Sequence, residues 1–102
     1  MASSAPFNLP LATALDRSEA LAALLRRLRE SQARFATITP LLPASLRAAV
    51  SAGPLDDNAW VLLAANASAA AKLRQMAPEL QAALLAAGWA GPAIKIKVAA
   101  AV

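Results

Sequence analysis

Asp56 and Asp57 sit side by side, and Ser68 and Lys72 stand four residues apart. Paired carboxylates do acid–base work only where a cleft drives their pKa values apart, whereas Asp56-Asp57-Asn58 reads as a polar turn open to water. Serine nucleophiles activated by lysine use a Ser-x-x-Lys spacing with further partner motifs. Here the spacing is one residue longer and the partner motifs are missing, so Ser68 reads as a helix cap and Lys72 as a surface charge. The chain has no His, Cys or Tyr. That removes disulfides, thiolate chemistry, the usual zinc ligand sets and the commonest general base at neutral pH. The expectation is a protein that is not an enzyme, with no metal, no organic cofactor and no small-molecule substrate.

Cations offer more. Ten Lys and Arg against six Asp and Glu leave a net charge of +4, which suits a nucleic-acid or acidic-protein partner. Lys95 and Lys97 project from one face of a strand, while Lys72 and Arg74 lie on the preceding helix; these four are the candidate nucleic-acid contacts. Arg26, Arg27, Arg29 and Arg34 lie on an earlier helix and are the candidate contacts to a protein partner. The alternative is a solvated surface, with the strand lysines guarding a sheet edge. Gly88-Trp89-Ala90-Gly91 spells a GxxG, which between two helices clamps a nucleic-acid backbone. Pro92 and a strand follow it here, so the motif reads mainly as a helix C-terminus and turn. Trp89 is then a lid on a small core or an exposed stacking platform.

The elements that must position these residues are legible in outline. Residues 1–15, broken by Pro6 and Pro10, read as a flexible tail, and residues 16–102 as one domain. Phe7, Leu9 and Leu11 in that tail would cover an open edge of the domain or dock a partner. Asp16, three residues before Glu19, forms a capping box that predicts a helix start. Leu21, Leu24, Leu25, Leu28 and Phe35 form an apolar stripe, opposite Arg26, Glu30 and Arg34. Pro40 and Pro43 stop this helix, and one helical turn is possible around Ser45–Arg47. Ala48–Leu55, with Gly53 and Pro54 suggesting an edge or bulge, and Trp60–Ala65 predict two strands joined by the polar turn. Asn66 or Ser68 caps a second long helix carrying Leu73, Ala77, Leu80, Leu84 and Ala87. Pro78 should kink or break it, and Gly88 should end it. Ile94, Ile96 and Val98 alternate with Lys95 and Lys97 as a last strand.

The order α-β-β-α-β predicts an α+β fold, with two helices on one face of a three-stranded sheet. Its core should hold Leu21, Leu25, Leu28, Leu62, Leu73, Leu80, Leu84, Ile94, Ile96 and Val98. With 102 residues there is room for one domain; hydrophobic residues make up 59%, much of it alanine, which buries little area each. No uninterrupted apolar run is long enough to span a membrane. The first basic residue is Arg17, too late for a secretory leader. The expected location is the cytoplasm, with no membrane partner.

From about Leu42 to Val98 the sequence resembles the DciA-like family. Trp60-Val61-Leu62-Leu63-Ala64-Ala65-Asn66, Ala70-Ala71-Lys72-Leu73-Arg74-Gln75, Pro78-Glu79-Leu80 and the closing Ile94-Lys95-Ile96-Lys97-Val98 carry the likeness. The helix from Leu21 fits the family's N-terminal helix. Many relatives carry a Trp and Gly motif before the hairpin that Thr39–Arg47 lacks. The resemblance implies a KH-like domain in a non-catalytic bacterial replication adaptor. Such a protein binds the replicative DNA helicase, helps place it on DNA, and binds single-stranded or fork DNA weakly without a cofactor. The other class in play is a generic KH-like RNA-binding or ribosome-associated module.

Overall fold

A computed structural model describes residues 8–99. The chain runs through α1 (Asn8–Ile38), a 3-10 turn (Thr39–Leu41), α2 (Ala44–Arg47), β1 (Val50–Leu55), β2 (Trp60–Ala64), α3 (Ala67–Ala86) and β3 (Ile94–Val98). The strands form one sheet in the order β1-β2-β3, with β1 antiparallel and β3 parallel to the central β2. The parallel β2–β3 pair needs a crossover, and α3 supplies it. Helix α1 packs over β1, α3 packs over β2 and β3, and the two helices touch each other. This is the expected α+β architecture, with the helices against one sheet face. No helix among the described residues is long and apolar enough to cross a membrane.

Sheet register decides which side chains are buried. Trp60, Leu62 and Ala64 of β2 face the helices and are fully buried. Their register partners in β3 are Ile94, Ile96 and Val98; the two isoleucines pack against the core while Val98 is exposed. Lys95 and Lys97 alternate to the outer face, opposite Val61 and Leu63. On β1 the register slips between Ala52 and Leu55, at the predicted bulge. A Cβ at Gly53 would stand 2.9 Å from the Val61 carbonyl oxygen, so glycine is required for that close approach.

Helix α3 starts where Asn66 Oδ1 accepts the Ala69 amide hydrogen bond at 2.8 Å; of the two cap candidates, Asn66 has the role. Ala69, Ala70, Leu73, Leu80 and Leu84 form its buried stripe. Of the other two expected stripe positions, Ala77 is half-buried and Ala87 exposed. The helix continues through Pro78 without breaking. Arg74 and Pro78 are both exposed, so water can take the carbonyl that the proline leaves unbonded. At the far end Gly88 has φ +93°, with Gly88 N–H bonded to the Leu85 carbonyl and Trp89 N–H to the Leu84 carbonyl. That pair of bonds is a Schellman cap, at the glycine the sequence predicted to end the helix.

Helix α1 differs most from expectation. It begins at Asn8, so Asp16 and Glu19 fall inside the helix rather than at its start. Pro10 falls in the first turn, where an amide hydrogen has no helical partner to lose. Leu9 and Leu11 are therefore helical, while Phe7 and the rest of 1–7 lie outside the described residues. The helix is roughly 46 Å long at 1.5 Å per residue. Among its described side chains, the buried ones are Ser31, Arg34 and Ile38, all in the C-terminal part. Leu21, Leu25 and Leu28, expected in the core, are 56%, 39% and 54% exposed, and Val98 is 46% exposed. The three leucines lie N-terminal to the docked segment. The core instead uses Ile38, Leu42, Leu46 and Val50, from the end of α1 through the start of β1.

Candidate nucleic-acid and partner surfaces

Arg34 is not available to a partner. It is 1% exposed, which corrects its placement on the solvent face of α1. Its Nε and Nη2 reach Glu30 Oε2 at 2.9 and 2.8 Å, and Nη2 also donates to the Ala90 carbonyl at 2.6 Å. The guanidinium stands 5.3 Å from the Trp89 ring centre, within cation–π range. Trp89 Nε1 donates to Thr37 Oγ1 at 3.0 Å. A Cβ at Gly91 would come within 3.0 Å of Arg34 Nη2. The GxxG segment is thereby fastened to α1, and Trp89 is a half-buried lid rather than an open platform. Glu30 lies one turn away in the sequence, but the Ala90 carbonyl, 56 residues on, carries no local signal.

The other three arginines, Arg26, Arg27 and Arg29, are exposed. Arg26 and Arg27 line an open polar groove of about 450 Å³ between α1, the hairpin tip and residues 90–92. Asp56 and Asp57 line its other side. Asp56 Oδ1 accepts the Asn58 and Ala59 amide hydrogen bonds at 2.7 and 2.9 Å. Those bonds, Ala59 first, hold its carboxyl below the usual carboxylate range, with help from the charges of Arg27 and Lys95. A general acid needs a raised pKa, so Asp56 is built as a turn residue. Ser68 and Lys72 are exposed at the start of α3, and no cluster of metal-ligating side chains occurs among the described residues.

Of the four candidate nucleic-acid contacts, Lys95 and Lys97 share the open sheet face, Arg74 borders its β3 edge from the helix layer, and Lys72 stands apart. Lys95 and Lys97 stand on the open sheet face beside Val61 and Leu63. Gln81 Oε1 accepts the Ile94 amide hydrogen bond, so one flank of α3 runs along the outer edge of β3. Arg74 lies seven residues, or two turns, before Gln81 and thus on the same flank. Lys97 lies three residues beyond Ile94. Both displacements are about 10 Å, and α3 returns antiparallel to β3, so Arg74 and Lys97 are nearly level. Lys72 sits on the opposite flank, beside Ser45, Leu46 and Asn66, and does not join the group. Sequence reading missed the partly apolar centre of this face, Val61 and Leu63, because a strand's faces are assigned only once its neighbours are known.

Comparison with known protein families, with curated proteins and with solved structures finds no match to this chain.

Proposed function

We propose that the chain is a non-catalytic adaptor of bacterial DNA replication, binding the replicative DNA helicase and, weakly, single-stranded or fork DNA. The likeness of residues 42–98 to the DciA-like family motivates the reading. The observation that carries the nucleic-acid part is the open sheet face, where Lys95 and Lys97 flank Val61 and Leu63, with Arg74 along the same strand edge. Cations give the phosphate attraction, and the apolar floor gives bases a surface to rest on. Arg26, Arg27 and Arg29, exposed on α1, serve the protein partner, mainly through association rate. The RNA-binding alternative needs a free GxxG loop and stacking platform, and here both are engaged by Arg34 and Thr37. The cytoplasm is the matching location.

Fluorescence anisotropy with labelled single-stranded DNA and RNA tests the nucleic-acid part. With about three to five phosphate contacts, log affinity should fall against log salt with a slope of about −2 to −4. Lys95→Glu/Lys97→Glu should weaken all sequences alike, by about tenfold or more, and flatten the slope by about 1.5. Lys72→Glu should change little. Unchanged affinity in the double variant returns the lysines to guarding a sheet edge. A strong preference for RNA, with a large change in Trp89 emission, favours the RNA-binding alternative.

A further inference from the structure

The geometry points to a second copy of this chain as the occupant of the exposed apolar face of α1, in a two-fold antiparallel helix pair. Leu21, Leu24, Leu25 and Leu28 are 56%, 61%, 39% and 54% exposed. At 3.6 residues per turn they fall within about 100° of arc, beside the line through Ser31, Arg34 and Ile38 that docks on the sheet. An apolar groove of about 420 Å³ adjoins them, between Leu24 and Leu28 and the Ala52–Leu55 segment of β1. The open leucine surface amounts to two leucines' worth, on the order of 400 Å², the size of the largest patch on a typical monomer, which is often functional.

Spacing selects the occupant. The arc continues to Arg17 on one side and Gln32 on the other, and the series 17, 21, 24, 25, 28, 32 reads the same in both directions. A two-fold axis between Leu24 and Leu25 therefore sets Leu21 against Leu28 of the second copy and Leu24 against Leu25. Self-complementarity of this kind is what an isologous interface requires. Arg17 is the single charge in the series, and reversal places it against Gln32. A parallel pair would instead set Arg17 against Arg17. The antiparallel arrangement also puts the two folded bodies at opposite ends, because each hangs on the C-terminal third of its own helix. Arg26 and Arg29 lie well off the seam and remain open, while Arg27 lines the adjoining groove beyond its border. An area at the low end for protein interfaces makes the pair weak and concentration-dependent.

Sedimentation equilibrium of the full chain from low to high micromolar concentration tests this. The expected result is a mass rising from one chain towards two. Leu24→Glu/Leu25→Glu should hold the chain monomeric at every concentration with an unchanged circular dichroism spectrum, because both positions are exposed in the single chain. The protein has no cysteine, so cross-linking gives the polarity. An oxidised mixture of Leu21→Cys and Leu28→Cys chains should form the mixed disulfide, and neither should pair with itself. Monomer throughout overturns the proposal, as does a dimer that survives the glutamates. Self-linking of Leu21→Cys also overturns it.

Discussion

Replacing Trp60 by alanine is expected to cost about 3–5 kcal/mol, which leaves little of the 5–15 kcal/mol typical of a small domain. Trp60 is fully buried in the central strand. Its Nε1 donates to Ser31 Oγ at 2.9 Å, and Ser31 Oγ donates in turn to the Gly53 carbonyl at 2.8 Å. One side chain thus joins β2, α1 and the bulge of β1. Alanine removes the packing and half of Ser31's bonding at once. Phenylalanine keeps most of the packing and should cost about 1–2 kcal/mol. Urea unfolding followed by circular dichroism separates the two. A Trp60→Ala protein within about 1 kcal/mol of the parent would contradict this account of the core.

Glu30→Ala should destabilise more than Arg34→Met, although the two residues form one pair. Glu30 is 41% exposed and Arg34 1%. Removing the carboxylate strands a buried guanidinium, whose Nη1 already lacks a hydrogen-bond partner among the described residues. Because Glu30 is partly solvated, the loss is set at about 2–3 kcal/mol, below the range for a fully buried pair. Arg34→Met leaves a carboxylate that water can reach and a methionine that still packs on Trp89, so about 1 kcal/mol is expected. Urea midpoints at low and high salt measure the difference. Equal losses, or the reverse order, would show that Arg34 is not held as the geometry indicates.

Which parts of this molecule could be read from sequence follows from how local their determinants are. Strand β3 announced itself because alternation of Ile94, Ile96 and Val98 with two lysines is complete within five residues. Gly88 was legible for the same reason: a helix end needs only its own turn. Helix α1 was misjudged because periodicity reveals an apolar stripe but not whether anything covers it. Leu21, Leu25 and Leu28 carry the pattern, yet the buried line runs through Ser31 and Arg34, two polar residues that hydropathy assigns to solvent. Their burial draws on partners 22 to 56 residues away, with Glu30 one turn back also holding Arg34. The candidate site divides in the same manner. Lys95 and Lys97 were placed correctly on a common face, whereas Lys72 and Arg74, two residues apart on a helix, diverge to opposite flanks. Shared helix membership says nothing about shared direction.

The adaptor reading is tested most directly by the interaction between the purified chain and a purified bacterial replicative helicase, immobilised and freed of nucleic acid by nuclease. Saturable binding is expected. Its association rate should fall with added salt and fall further in Arg26→Glu/Arg27→Glu/Arg29→Glu, with dissociation little changed. No binding at any salt concentration, from a chain that circular dichroism shows to be folded, would contradict the account.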